Sequence, residues 1–248
     1  MGGVSGGSVH ALAERPMSER RALRWSDLGI RVASAGVLAP IALACIWVGG
    51  IAFTVLIAAV ALGLATEWLM LCRLPAARPG GAPLRMAGIA YVALAAAALV
   101  FLRDDPVSGR ANVVFLVLVV WATDIGAYLV GRMVGGPRLA PRVSPGKTWS
   151  GALGGLATAV AAGLVVTPFL ADAGPGWRTA LVSAAVGIVA QAGDLLESFV
   201  KRCLGVKDSS QIIPGHGGLF DRLDAILSSA LAGALLALAL GRGVVLWQ

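Results

Sequence analysis

Residues 112–131 read NVVFLVLVVWATDIGAYLVG, and Asp124 is the one charged side chain in this run. A helix that crosses the hydrocarbon core of a bilayer needs about 20 consecutive, mostly apolar residues. The run is therefore predicted to be a membrane-spanning helix. This run decides the fold class, because a chain with a membrane-spanning helix is an integral membrane protein and folds within a lipid bilayer.

Six further stretches have the length and composition of a membrane span: 30–48, 51–72, 84–102, 150–171, 178–198 and 225–246. Over the whole chain, 58% of the residues are apolar and 13% are charged, and the mean hydropathy is +0.84. Soluble domains carry roughly 25% charged residues, so soluble enzymes and disordered chains are excluded. We expect an all-α, polytopic integral membrane protein with about seven transmembrane helices.

We expect the chain to divide into a flexible cytoplasmic tail (1–25), N-terminal transmembrane helices (26–110) and a C-terminal transmembrane region (111–248), which holds most of the candidate functional residues described below and two polar loops (132–149 and 199–224). The Arg-rich tail ahead of the first apolar segment resembles a secretory signal peptide. We reject that interpretation, because the apolar segment is long enough to span a bilayer and further spans follow it.

The basic residues predict the orientation. With the N-terminus in the cytoplasm, all but four of the 20 Lys and Arg residues lie in cytoplasmic segments, the exceptions being Arg103, Arg110, Arg178 and Arg242. This asymmetry follows the positive-inside rule. The net charge of +7 therefore indicates loops that face anionic lipid, and no nucleic-acid partner is expected. Both polar loops face the cytoplasm in this arrangement, and the Ala- and Arg-rich composition suggests a bacterial inner membrane.

Acidic residues are costly at bilayer depth, so Glu67, Asp124, Asp194 and Glu197 are candidate functional residues. A structural role in helix pairing is an equal alternative for Glu67, which follows the apolar part of its span. Asp124 shares the helical face of Trp121, Tyr128 and Arg132, so that a polar stripe is predicted. An internal ion pair with an arginine is the alternative for Asp124.

The loop after this span reads Ser144-Pro145-Gly146-Lys147-Thr148-Trp149. A turn that leads into a helix start offers free backbone N–H groups and a positive dipole end, and Lys147 adds a charge, so the segment suits phosphate. The spacing is not that of a P-loop. Three glycines open the next span, and we interpret them as sites of close helix packing: Gly151, Gly154 and Gly155.

The second loop and its flanks hold the densest group of charges. Asp194, Asp221 and Asp224 lie where apolar spans begin or end. Three carboxylates that converge there would repel one another unless a cation joins them, and oxygen ligands favour Mg²⁺ or a similar hard ion. His216 lies among glycines that allow close backbone approach, so we expect it to contact a phosphate or a base. The three cysteines lack the spacing of a disulfide framework or a metal site.

From Ser198 to Asp224 the sequence follows the pattern S-x-x-K-R-x4-K-D-x-S-x-x-I-P-x-H-G-G-x-x-D-R-L-D. Upstream, Asp124-x-x-Ala127-Tyr128, Ser144-Pro145-x-Lys147-Thr148 and Gly193-Asp194-Leu195 follow one another in that order. Together these motifs resemble the phosphatidate cytidylyltransferase (CDP-diacylglycerol synthase) family. One departure is Ser150, which stands where the family leads us to expect a larger polar or acidic residue.

The resemblance implies that CTP and phosphatidate are the substrates and that CDP-diacylglycerol and pyrophosphate are the products. It also implies a site at the cytoplasmic face of the bilayer, with Mg²⁺ as cofactor. Whether a second, monovalent cation shares the site, and whether the chain forms a homodimer, stays open.

The resemblance assigns roles to individual residues. The expected catalytic residues are Asp194, Asp221, Lys201, Arg202, Lys207 and Arg222. The expected substrate-binding residues are Ser144, Lys147, Thr148, Ser198, Asp208, His216, Gly217 and Gly218. The expected ligands of Mg²⁺ are Asp194 and Asp221, assisted by Asp224 and Asp124.

Two other classes of function compete with this hypothesis. A CTP-dependent lipid kinase would share the nucleotide site but would release CDP in place of pyrophosphate. A cation-coupled transporter would also carry acids inside the membrane, although its polar residues are expected near the midplane in two related halves. A purely structural membrane protein would not need the cluster of acids and bases.

Overall fold

The structure is a computed structural model, and it describes residues 36–172, 174–210 and 217–248. Seven α-helices lie within these residues: α1 Gly36–Val48, α2 Gly50–Leu71, α3 Gly81–Arg103, α4 Gly109–Val134, α5 Trp149–Leu170, α6 Gly176–Cys203 and α7 Phe220–Leu240. A 3₁₀ turn, Pro75–Gly80, precedes α3. Two short antiparallel strands, β1 Arg138–Ala140 and β2 Ser144–Thr148, lie between α4 and α5.

Six of these helices, α2 to α7, are long and apolar enough to cross a membrane. This confirms the predicted all-α membrane fold and six of the predicted spans. The first predicted span, 30–48, is described only from Gly36, and its helix ends at Val48. The predicted tail 1–25 lies outside the described residues.

The last span is shifted from its predicted position at 225–246. The helix begins at Phe220 and ends at Leu240, where Gly241 has φ 95°. The residues beyond it are not helical but fold back onto the bundle, and Trp247 is fully buried with its ring centroid 4.7 Å from that of Phe115. The apolar residues of this segment therefore belong to a non-helical stretch, of which Val245 and Leu246 are buried against the core.

Both predicted loops are shorter than expected. The loop predicted at 199–224 is reduced to 204–219, because α6 continues to Cys203 and α7 begins at Phe220. The loop predicted at 132–149 contains the β1–β2 hairpin, and Ser144–Thr148 is a strand. The turn expected at Ser144–Thr148 is thus replaced by an extended segment that still leads into a helix start.

Small residues bring α4 and α5 close together. Gly151, Gly155 and Gly163 are buried at intervals of four or eight residues along α5. A Cβ atom at Gly155 would lie 2.8 Å from the backbone oxygen of Thr123, and one at Gly151 would lie 2.8 Å from that of Ala127. The prediction of close helix packing is confirmed, and this contact positions the end of α4 beside the hairpin.

The four basic residues expected outside the cytoplasm gather at one end of the bundle. The Arg103 guanidinium donates to the backbone oxygen of Ile46, and Arg110 lies over the ring of Trp47. Arg178 and Arg242 interact at the same end, with the backbone oxygen of Gln248 and with the Asp104 carboxylate, respectively. The remaining described basic residues lie toward the other end. The uneven distribution of Lys and Arg along the sequence therefore becomes an uneven distribution between the two ends of the bundle.

At this end, Asp105 joins the α3–α4 loop to the segment after α7. One oxygen, Oδ1, accepts hydrogen bonds from the backbone N–H groups of Val107 (3.0 Å) and Ser108 (2.9 Å). The other oxygen, Oδ2, accepts one from Gly243 (2.7 Å). Burial disfavours the charged carboxylate, but the hydrogen bonds from Ser108, Gly243 and Val107 outweigh burial and lower the pKa of Asp105 below its ordinary value.

We therefore expect Asp105→Asn to lower the free energy of unfolding by about 1–3 kcal/mol at neutral pH. Because the pKa is lowered in the folded state, this stabilisation is complete above the unfolded-state pKa of about 3.9 and is lost as the pH falls through the folded-state pKa. In thermal unfolding in detergent, measured from pH 7 to pH 3, the difference in unfolding temperature between wild type and variant should shrink at low pH. Asp104→Asn is the matched control, since Asp104 is exposed and its nearest cation is 3.9 Å away. A gap that is independent of pH would contradict this role.

Candidate active site

A polar cavity of about 600 Å³ opens between α4, the hairpin, α5 and α6. Its walls carry three cations, three hydroxyl groups, one amide and two carboxylates: Arg132, Arg138, Lys147, Tyr128, Ser144, Thr148, Gln191, Asp124 and Asp194. Cations and hydroxyl donors on one concave surface are suited to bind phosphate groups. This polar cavity lies at the end of the bundle opposite Asp105.

The end of α4 supplies one wall of the polar cavity. Asp124, Tyr128 and Arg132 line it, and an Arg132 Nη1 group donates to the Tyr128 hydroxyl over 2.8 Å. The predicted polar stripe is correct for these three residues. It is wrong for Trp121, which lines a separate apolar groove on the other side of α4.

The hairpin carries Lys147 to the carboxylate of Asp194. Lys147 Nζ lies 2.6 Å from Asp194 Oδ2, and both side chains are partly exposed to the cavity. The Thr148 hydroxyl accepts a hydrogen bond from the N–H of Gly151 (3.1 Å) and so caps α5. Ser150 donates to the backbone oxygen of Gly135 and ties this helix start to the end of α4. Thr148 is thus primarily a cap that also lines the cavity.

Three carboxylates converge at the floor of the site, namely those of Asp194, Glu197 and Asp224, and we call them the carboxylate cluster. One oxygen of each lies within 4.8 Å of one oxygen of the others. Close contact of α6 with α7 makes this possible, because a Cβ atom at Gly193 would lie 2.1 Å from Ser228 Oγ. Three carboxylate oxygens at this separation are a donor set that fits Mg²⁺. Glu197 is not among the predicted metal ligands, although its position one helical turn after Asp194 is a signal in the sequence.

Asp221 lies beside the cluster. Its Oδ1 is 2.6 Å from Lys201 Nζ, which is also 3.2 Å from Glu197 Oε1. Asp221 Oδ2 accepts hydrogen bonds from the N–H groups of Ser209 (3.1 Å) and Gly218 (3.1 Å). The carboxylate of Asp221 thus orients Lys201 and binds the backbone of the α6–α7 loop at Ser209 and Gly218. Its predicted role as a metal ligand stays a prediction, as does that of Asp124.

Glu67 is a residue whose role the sequence left open, and the structure gives it a specific position. It is fully buried. Its Oε1 accepts hydrogen bonds from the Ser210 hydroxyl (2.5 Å) and the Leu219 N–H (2.7 Å). Its Oε2 accepts from the Ser209 hydroxyl (3.2 Å) and the Phe220 N–H (2.8 Å). Glu67 thereby caps α7 from a different helix and fastens the α6–α7 loop to α2.

The other predicted residues are distributed around the site. Ser198 lies beside Asp194, with its hydroxyl 3.5 Å from Oδ1. Arg202 donates to the backbone oxygens of Val143 and Val206, so it connects the hairpin to the α6–α7 loop. Lys207 and Asp208 are exposed on that loop. Arg222 lines the apolar groove that also contains Trp121. The predicted contact residue His216 lies outside the described residues, and Gly217 adopts φ 84°.

The sequence matches known proteins over the part of the chain that builds this site. A model of the cytidylyltransferase family matches residues 77–239, which include α3 to α6 and nearly all of α7. The chain is 39% identical to the phosphatidate cytidylyltransferase of Brucella suis biovar 1 (strain 1330), over 86% of this chain and 95% of that protein. It is 33% identical to the phosphatidate cytidylyltransferase of Rickettsia bellii (strain RML369-C), over 83% and 88% of the two chains.

Proposed function

This chain belongs to the cytidylyltransferase family and converts CTP and phosphatidate to CDP-diacylglycerol and pyrophosphate in phospholipid synthesis, and we propose that the reaction takes place where the polar cavity meets the carboxylate cluster. The observation that carries the proposal is the ion pair between Lys147 and Asp194. It joins a cavity that suits the phosphates of a nucleotide to three acids that suit a metal ion.

The reaction depends on the positioning of its two substrates more than on a strong base. An oxygen of the lipid phosphate, already anionic at neutral pH, forms a bond to the α-phosphorus of CTP. The bond from that phosphorus to the oxygen that bridges to the β-phosphate breaks, and pyrophosphate leaves with the electron pair. Two anions must approach each other, so the site has to neutralise charge and hold the reacting groups in line.

The residues of the polar cavity provide the binding contacts for CTP. Lys147, Arg132 and Arg138 neutralise phosphate oxygens, and the Ser144 and Tyr128 hydroxyls donate hydrogen bonds. Lys147 is held in place by Asp194, which keeps its ammonium group at the boundary between cavity and cluster.

Asp194, Glu197 and Asp224 would hold Mg²⁺. When bound, this ion neutralises phosphate oxygens and stabilises the departing pyrophosphate. Lys201 lies next to the same cluster and supplies a fixed positive charge for the lipid phosphate. The carboxylate of Asp221 orients Lys201 toward that position.

We propose that the end of the bundle with the polar cavity faces the cytoplasm of a bacterial inner membrane. The distribution of basic residues supports this orientation. The chemistry supports it too, because CTP is dissolved in the cytosol while phosphatidate lies in the leaflet. A site at one end of the spans is reached by both substrates.

The test is a product assay with purified protein in detergent, phosphatidate, labelled CTP and Mg²⁺. We expect lipid-soluble cytidine label and pyrophosphate to form in equal amounts and EDTA to suppress both. Release of CDP with phosphorylated lipid would indicate a lipid kinase. Turnover that is unchanged in EDTA would contradict the metal site.

A further inference from the structure

The mouth and the inner end of the polar cavity differ in chemistry. Both α4 and α6 run toward the end of the bundle where the cavity lies, so a residue earlier in either helix lies deeper in the bundle. Asp124 precedes Arg132 by two helical turns, which places its Cα about 12 Å deeper. Gln191 precedes Asp194 by nearly one turn, a difference of about 4.5 Å. The cations of the cavity therefore lie toward its mouth, and Asp124 and Gln191 lie at its inner end.

Small residues leave room at the inner end. Ala127, Gly151 and Ala152 line the cavity there. Below them the helices α4, α5 and α6 meet, because a Cβ atom at Gly155 would lie 3.1 Å from the Cβ of Ala127 and 3.4 Å from Gln191 Nε2. The cavity as a whole, at about 600 Å³, has a volume typical of pockets for small molecules. The inner end is thus a closed space with small walls, which suits a flat ring.

Two acceptor oxygens at the inner end have no donor in the described part of the chain. The Asp124 carboxylate makes no hydrogen bond or ion pair with any described residue, and it does not belong to the carboxylate cluster. Gln191 Nε2 donates to the backbone oxygen of Ala152 over 3.3 Å, which fixes the amide, while no described donor reaches its Oε1. A carboxylate inside a spanning helix is costly without a partner, so a ligand that donates hydrogen bonds is expected here.

The base of the nucleotide is the part that such acceptors can distinguish. The phosphates and the ribose of CTP and UTP are identical, so a preference for CTP has to arise at the base. Cytosine carries an exocyclic amino group with two N–H donors at the position where uracil carries a carbonyl oxygen. Acceptor oxygens bind the amino group and repel the carbonyl oxygen. A site that accepts hydrogen bonds from a substrate N–H discriminates strongly against an analogue that lacks it, because the polar groups of the site are then left unpaired.

We infer that the inner end of the polar cavity binds the cytosine ring of CTP and that the Asp124 carboxylate, together with Gln191 Oε1, accepts the hydrogen bonds of its exocyclic amino group. This inference rests on the proposed function. The triphosphate then extends toward the mouth, past Lys147 and Asp194, to the arginines of the cavity wall. Asp124 thereby selects cytosine over uracil, which is a different role from the predicted one as a metal ligand.

Nucleotide selectivity tests this assignment. We expect wild type to use CTP with a kcat/KM at least about 10³-fold above that for UTP. An amide at position 124 offers either an oxygen or an NH₂ group, so Asp124→Asn should accept both bases, and the ratio should fall at least about 100-fold.

Asp194→Asn is the matched control, since it makes the same substitution in the same cavity but on a carboxylate of the cluster. It should slow both nucleotides alike and leave their ratio unchanged. If Asp124→Asn behaves in the same way, Asp124 acts with the metal site and the inference is overturned. A wild type that uses UTP as well as CTP would overturn it too.

Nucleotide binding in the absence of phosphatidate separates this inference from the proposed function, because no transfer can occur without the lipid. In thermal unfolding with Mg²⁺ and equal concentrations of CTP or UTP, CTP should stabilise wild type more. This difference should disappear in Asp124→Asn, shrink in Gln191→Met, which lacks the amide, and persist in Asp194→Asn.

Equal effects of CTP and UTP on wild type, or a preference for CTP that persists in Asp124→Asn, would overturn the inference even if CDP-diacylglycerol is formed. A preference that depends on Asp124, in a protein that forms no CDP-diacylglycerol, would support the base site and contradict the proposed function alone.

Discussion

Asp224→Asn should lower kcat about 10³-fold, which corresponds to roughly 4 kcal/mol of lost transition-state stabilisation. The Asp224 side chain is buried against α6 and contributes one of the three carboxylates of the cluster. An amide at this position has nearly the same shape but no negative charge. The protein should therefore fold and insert normally while its affinity for Mg²⁺ falls.

The stability of the same variant gives a readout that is independent of activity. In EDTA, Asp224→Asn should unfold at a higher temperature than wild type, since it removes repulsion within the cluster. Adding Mg²⁺ should stabilise wild type, because a ligand that binds the folded state raises its stability, and should stabilise the variant much less. Asp172→Asn is the control, an exposed acid outside the site. An equal Mg²⁺-dependent shift in Asp224→Asn would refute the metal assignment.

Glu67→Ala should lower the free energy of unfolding by about 3–5 kcal/mol and abolish most activity. The carboxylate accepts four hydrogen bonds and is fully buried, so its loss leaves the Leu219 and Phe220 N–H groups without an acceptor. The start of α7, which carries Asp221 and Asp224, would lose its anchor to α2. Thermal unfolding and the product assay measure the two effects.

Two companion variants make the role of Glu67 specific. Glu67→Gln keeps one acceptor oxygen but replaces the other with a donor, so we expect an intermediate loss of stability. Thr66→Ala is the matched control, because Thr66 is exposed and its hydroxyl donates to the backbone oxygen of Gly63 in its own helix. A change of less than about 0.5 kcal/mol is expected there. Stability in Glu67→Ala equal to that of Thr66→Ala would show that the loop does not depend on this carboxylate.

The spans were predictable because apolar length is a local property. The run at 112–131 and its counterparts are recognisable without knowledge of their neighbours, and six of them are helices close to the predicted positions. The last span was placed too far along the chain, because Val244, Val245 and Leu246 are apolar but follow the end of α7, and Val245 and Leu246 are buried against the core. Hydropathy reports burial in lipid or protein and does not distinguish the two.

The site was predictable in part. The motifs placed Asp124, Lys147 and Asp194 in the chemistry of the site, and the structure brings them to one cavity. Glu197 and Glu67 were recognised as costly acids, but the partners of each come from other elements. Glu197 meets Asp224 across α6 and α7, and Glu67 meets residues more than 140 positions away. No local pattern encodes such contacts.

The sequence by itself determined the class of the protein, its membrane spans, its asymmetric charge and the kinds of side chain that its chemistry needs. Each of these depends on composition or on spacing within one helix, which a linear chain displays directly. Only the tertiary structure decided that Glu197 joins the carboxylate cluster, that Asp221 pairs with Lys201, and that Lys147 of the hairpin reaches Asp194 at the edge of the polar cavity. The reason is that the distances between carboxylates on different helices are set by how closely the helices pack. Here that packing depends on the missing side chain at Gly193.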